Sequence, residues 1–186
     1  VKDAYTGRVE GHESDVLLYA KNGIHPDSPH RKAYLGFSLA GMRRGKIADA
    51  ELVLHFVPTG WGLASHVPDA TFSVYGLTGE QTAWDEASVN QKAPASAPGS
   101  GGAELVESQV QKLGSFSIEQ GVQRGPFGIQ TKQLADFLRK HPGRDITLIV
   151  VRDTREVEDG GLVHGFASRR HRALPAPTLA VRMKTP

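Results

Sequence analysis

The chain has 186 residues, 39% of them hydrophobic and 23% charged, which fits one globular domain large enough to bury a core. It has no cysteine, so disulfides and thiolate metal sites are excluded. Its net charge of +2 is too mild to name a partner, and no apolar run approaches the length needed to cross a bilayer. The charge is nonetheless asymmetric. Acids gather at Asp3, Glu10, Glu13 and Asp15 and again at Glu80, Asp85 and Glu86, whereas none follows Asp159. Arg169, Arg170, Arg172, Arg182 and Lys184 all lie in that acid-free end.

Taken in chain order, short alternating segments dominate. A weak strand is expected at "DVLLYAK" (15–21). In "RKAYLGFSLAG" (31–41), Ala33, Leu35, Phe37 and Leu39 share one parity, and Lys32, Tyr34, Gly36 and Ser38 share the other. "AELVLHFV" (50–57) sets Leu52, Leu54 and Phe56 against Glu51, Val53 and His55. "TFSVYGL" (71–77) sends Phe72 and Val74 inward, with Ser73 and Tyr75 outward. This period of two is what a strand buried on one face requires.

The Ala, Pro, Ser and Gly run "QKAPASAPGSGG" (91–102) is expected to be a flexible loop inside one domain spanning 1–186, since the strands before it are too few to close a sandwich. Beyond it, weak strands are expected at "LGSFSI" (113–118), "VHGFAS" (163–168) and "PTLAVRM" (177–183). "DITLIVV" (145–151) is apolar at both parities, so a central strand covered on both faces is expected there. One helix interrupts the pattern. "TKQLADFLRKHPG" (131–143) spaces Leu134, Phe137 and Leu138 helically, with Thr131 as cap and His141-Pro142-Gly143 as stop. The fold expected is all-β: a jelly-roll-like β-sandwich with one short helix.

Four segments in order carry a resemblance. "DAYTG" at Asp3 looks like an opening Asp-x-aromatic element. "RKAYLGFSLAGMRRGKIADAELVLHF" is similar to an Arg-x-Ala-Tyr-Leu-x-Phe-Asp-Leu strand, its turn and an Ala-x-Leu-x-Leu strand. "VYGLTGEQTAWDEASVNQKAP" looks like a strand leading to Trp-x-Glu and an Asn-x-x-Pro turn. "FASRRHRALPAPTLAV" looks like a closing Phe-x-Ser-Arg-Glu, Pro-x-Leu-x-Val element. Together they resemble the DNRLRE-type domains, the group that includes carbohydrate-binding module family 96.

That resemblance implies a sandwich that binds polysaccharide, alginate in the namesake family, and is appended to a catalytic domain in a secreted or cell-surface protein. It also hints at structural calcium, for which Asp3, with Asp15 or Asp153, supplies oxygen ligands. The chain departs from the pattern in four places. Gly36 stands for the family's Arg, Ser38 for its Asp and Arg170 for the Glu of Ser-Arg-Glu, while "EGHESD" replaces Asn-Tyr-Gly. The departures bear on ligand specificity and on the calcium site.

From the residues themselves, Lys32, Tyr34, His55 and Tyr75 are expected on a solvent-facing sheet face. Tyrosine rings stack on sugar C–H faces, and Arg and Lys donate to carboxylate or sulfate. The cluster Arg169, Arg170, His171 and Arg172 would add positive field at the rim. The glycan-binding set expected is therefore Arg31, Lys32, Tyr34, His55, Tyr75, Arg169, Arg170 and His171, and the ligand an anionic polysaccharide such as alginate, porphyran or carrageenan. Agarose, a neutral glycan, is the stacking-only alternative.

Arg31 and Arg169 have a second reading as structural ion-pair partners, and Arg170, His171 and Arg172 as a solvated turn. Trp84 reads as core, and Trp61 and His66 as either a loop platform or a lid. A jelly-roll lyase would use Tyr34, His55, Tyr75 and Lys32 for proton abstraction and charge neutralisation, and an adhesive spacer would have no working face. No nucleophile elbow, phosphate loop or zinc helix is present, so a non-catalytic module is expected. The short basic run and mild net charge speak against nucleic acid, and a monomer is expected.

Overall fold

The computed structural model describes residues 2–7, 15–24, 30–42, 47–59, 69–79, 84–87, 89, 93–97, 104–156 and 163–184. Trp61, His66 and most of the 91–102 run lie outside them. The strands are β1 (Lys2–Tyr5), β2 (Leu17–Ala20), β3 (Ala33–Ser38), β4 (Ile47–Val57), β5 (Ala70–Leu77), β6 (Val110–Ile118), β7 (Gly125–Gln130), β8 (Asp145–Arg152), β9 (His164–Ala167) and β10 (Thr178–Met183), with α1 at Lys132–Lys140.

They form two antiparallel sheets. The first has the order β1-β3-β8-β5-β6, and the second β10-β4-β9-β2, with β7 also paired to β4. β8 is the middle strand of its sheet, as its two-sided apolar pattern requires. Long β4 serves three partners. β10 runs along Ile47–Val53, β7 along Glu51–Phe56 on the other edge, and β9 meets Phe56 and Val57. The fold is an all-β sandwich with one short helix.

The core lies between the sheets and is built from the inward parity. Leu35 and Phe37 of β3, Leu52, Leu54 and Phe56 of β4, Phe72 and Val74 of β5, and Leu148 and Val150 of β8 pack there in one cluster. Each such side chain is worth roughly 1.5–3 kcal/mol when fully buried. The helix begins at its expected cap: Thr131 Oγ1 accepts from the Leu134 amide at 3.0 Å. Leu134, Ala135, Phe137 and Leu138 are buried against β4 and β6. Gly143, at φ +68°, turns the chain out of the helix stop.

Two strands escape the pattern. β1 is only four residues long, and β7 reads "GPFGIQ", whose Gly and Pro are depleted in strands. β7 tolerates them because it pairs β4 closely: a Cβ at Gly128 would sit 1.8 Å from the Leu52 carbonyl oxygen. A second departure is a small outer core. Ala4, Tyr34, Ile149, Trp84 and Val89 form a buried cluster on the face of the first sheet that points away from the second.

His164 sits in the main core, 5.3 Å from the Phe56 ring and 5.1 Å from Phe72. Burial first, and the neighbouring Arg152 charge second, push it from the ordinary 6.5 down to about 3. It is therefore neutral in the folded chain. The unfolded chain takes up the proton first, so this contribution is intact above pH 6.5 and is lost as pH falls toward 3. The loss should reach about 1.4 kcal/mol per pH unit. Urea unfolding at pH 7 and pH 4.5 should show a smaller acid loss for His164→Phe than for the parent; equal losses would remove His164 from the acid limb.

Candidate functional site

The outer face of the first sheet is where Tyr34 and Tyr75 were expected together. Register puts Ala4 opposite Tyr34, Tyr34 opposite Ile149, and Ile149 opposite Tyr75, so the two tyrosines do share one row of one face. That face is not open to solvent along its length. A strap formed by residues 84–87, 89, 93–97 and 104–106 lies over it. Trp84 Nε1 donates to Thr147 Oγ1 at 2.9 Å, and its ring meets Tyr34 edge-on with centroids 6.0 Å apart. Trp84 is core, as the sequence suggested.

The expectation that Tyr34 faces solvent is corrected. Its ring is fully buried, its hydroxyl donates to the Pro94 carbonyl at 3.1 Å, and burial pushes it up to about 12. Lys32 is corrected too. It is 2% exposed, and its Nζ has no hydrogen-bond partner. Burial outweighs the favourable field of Glu104 and pushes its ammonium down to about 8. Gly36, where the resembled pattern has Arg, leaves room for Lys2. A Cβ there would lie 2.5 Å from Lys2 Cγ, and the Lys2 ammonium crosses the Trp84 ring at 4.4 Å and donates to the Trp84 carbonyl.

Tyr75 remains half-buried, at the edge of an open groove of about 670 Å³. His55 does not join this face. It lies on the outward side of β4 in the opposite sheet, beside Pro126, with its buried Nδ1 unpartnered.

The arginine cluster is an ion-pair latch. The Arg169 amide donates to Asp3 Oδ2 at 2.6 Å, and its guanidinium forks onto Glu86, Nε to Oε1 at 3.1 Å and Nη2 to Oε2 at 2.6 Å. Arg170 bridges both acids, 3.4 Å to Asp3 and 2.9 Å to Glu86. Glu86 also accepts from the Asp3 amide at 2.7 Å. Burial raises the fully buried Asp3 carboxyl despite these partners, whereas Glu86, opposed by burial, is held low by Arg169, the Asp3 amide and Arg170. The two arginines are thus committed to Asp3 and Glu86, although Arg169 itself is exposed. The His171 ring closes the turn by accepting from the Ala173 and Leu174 amides at 3.3 and 3.0 Å.

The same latch disfavours calcium at Asp3. Both carboxylate oxygens are engaged, and two guanidiniums would repel a dication. Asp15 accepts from the Tyr5 hydroxyl and Asp153 from the Ser73 hydroxyl, each at 2.6 Å. Among the described residues no group of three His, Cys, Asp or Glu gathers to hold a metal.

Arg31 differs from the other cations. Its backbone bridges to Lys21, and its guanidinium lies over Tyr5 and Tyr19 at 5.6 and 5.3 Å from their ring centroids. The rings themselves meet edge-on at 5.0 Å. Arg31 Nε is buried without a hydrogen-bond partner, and among the described residues no carboxylate reaches ion-pair distance of this group. Lys21, beside it, is already bound to Glu156 at 2.9 Å. Of the two platform rings, Tyr5 is the aromatic of the opening Asp-x-aromatic element without a binding role expected of it, and for Tyr19 the alternation of "DVLLYAK" is the signal in the sequence.

Removing both latch arginines should be a stability lesion before it is anything else. Arg169→Ala with Arg170→Ala leaves Asp3 buried and uncompensated, which should cost about 3–5 kcal/mol. Urea denaturation measures it, and a loss below about 1 kcal/mol would show that the latch is dispensable.

A scan against protein-family models finds no match for this chain, and a search of curated proteins finds none either.

Proposed function

We propose that this chain is a non-catalytic carbohydrate-binding module that grips an anionic polysaccharide, such as alginate or a sulfated galactan of the porphyran or carrageenan kind, through Arg31. The observation that carries the reading is the Arg31 guanidinium, seated on two tyrosine rings and, among the described residues, without a carboxylate at ion-pair distance. Stacking fixes the plane of the guanidinium, and with Nε buried the terminal Nη donors are the ones left for an oxyanion, as in two-point carboxylate or sulfate binding. Tyr19, half-buried, adds an aromatic surface next to it.

A lyase would need a base and a neutralising cation converging on one sugar. The tyrosine considered for that role, Tyr34, is buried and raised to about 12, and His55 lies on the other sheet. Both facts favour binding without chemistry. The module's partner is then the polysaccharide itself, met outside the cell and beside a catalytic domain.

Affinity electrophoresis through gels holding alginate, porphyran, carrageenan, agarose or no polysaccharide tests the reading. Retardation is expected in at least one anionic gel, weakening as salt rises, since exposed charge pairs are screened over about 10 Å at 0.1 M ionic strength. Arg31→Ala should weaken binding about tenfold, the size of a lost charge-assisted pair. Arg31→Lys should restore part of it. Free migration in every anionic gel, or retardation indifferent to Arg31→Ala, would sink the proposal.

A further inference from the structure

The groove on the outer face of the first sheet has its own chemistry. Its floor is Tyr75, Val110 and Val151, and its wall carries Leu105 with the exposed carboxylates Glu104 and Glu107. The floor is aromatic and apolar, and the wall carries two carboxylates. Lys112 stands directly opposite Tyr75 in the β5–β6 register and is exposed. Lys32, on the parity of Tyr34, is buried within the field of Glu104. Among the described residues, the charged groups that line the groove are the two carboxylates, while Lys32 lies buried and outside the lining.

The local backbone is shaped for this as well. The β5–β6 pairing shifts between Val74 and Tyr75: Val74 meets Gly114 and Tyr75 meets Lys112, so Leu113 is an extra residue. Such a bulge re-aims the neighbouring side chains and is common beside binding sites. Leu113 drops fully into the core, and Tyr75 and Lys112 share the outward face.

We infer that this groove is a second sugar site, taking a neutral pyranose residue stacked on Tyr75 and held by hydroxyl hydrogen bonds to Glu104 and Glu107. The choice of a sugar rests on the carbohydrate-binding reading above; the choice of a neutral one rests on the two carboxylates of the wall. A pyranose has an apolar C–H face for the tyrosine and hydroxyl donors for the carboxylates. An acidic sugar would meet two carboxylates at the wall. The groove and the Arg31 corner flank the entry to β3, since Arg31 packs on Tyr5 and Tyr19 whereas Lys32 turns toward Glu104.

Calorimetric titration of the whole chain with agarohexaose, mannohexaose, cellohexaose and an alginate hexamer tests the inference. At least one neutral hexasaccharide should bind with an affinity indifferent to salt. Tyr75→Ala should weaken that binding at least tenfold, and Glu104→Gln with Glu107→Gln several-fold, with circular dichroism unchanged. Arg31→Ala should leave it alone. Absence of binding to all three neutral probes, or binding that survives both Tyr75→Ala and the double Gln variant, overturns the second site. Loss of alginate binding in Arg31→Ala with neutral binding intact separates the two sites, and failure of the acidic probe alone counts against the Arg31 corner only.

Discussion

The buried Asp3 carboxylate is the constraint on which the rest of the molecule hangs. β1 is an edge strand of four residues with β3 as its one sheet partner among the described residues, too little pairing to hold it in place. What holds it is charge. A carboxylate with no solvent contact must be compensated, and the compensation comes from residues 166 and 167 positions away in the turn after β9. Glu86 completes the set from the strap, 83 positions from Asp3. One network therefore fixes the first strand, the strap over the first sheet and the closing turn relative to one another. Its members are costly alone and stable together, so the three segments must come down as a unit.

The strap follows from that anchor. Once Glu86 is tied to the arginines, Trp84 falls over Thr147 and Tyr34, and the outer face becomes a second, smaller core instead of a solvated surface. The same event turns Lys32 from a surface amine into a buried one with no partner for its Nζ. What stays open is the margin where the strap ends, the groove beside Tyr75 that Glu104 and Leu105 wall on one side. Access to this face is thus set in part by Glu86, Arg169 and Arg170, which are not among the lining residues of the groove.

The sandwich was legible because its evidence is local. Alternation in "AELVLHFV" and "TFSVYGL" assigns inward and outward residues without knowing any partner, and two-sided apolarity places β8 in the middle. The helix, its Thr131 cap and its stop were legible for the same reason. β7 was not, since "GPFGIQ" carries strand breakers that only its close approach to Leu52 explains. Parity also stated correctly that Tyr34 and Tyr75 share a face. It could not state that the face is covered, because Trp84, Val89, Ala95 and Leu105 follow no period and lie in segments that read as turn and low-complexity loop. Of the candidate site, Tyr34 and Lys32 are buried, and Arg169 and Arg170 are paired with Asp3 and Glu86.

The arginines make the general point sharply. By sequence, Arg169 and Arg170 are the strongest positive feature and Arg31 one cation among many. Positive charge in a sequence is a count, whereas the capacity to bind an anion depends on what remains after internal pairing. Arg169 and Arg170 meet Asp3 and Glu86, acids so remote in the chain that no window of sequence would join them. Arg31 meets two aromatic rings, which fix a guanidinium without neutralising it. Lys32, its neighbour, is withdrawn by burial alone. Three fates for basic side chains, paired, stacked and buried, are decided by tertiary contacts, and a count of charges in the sequence distinguishes none of them.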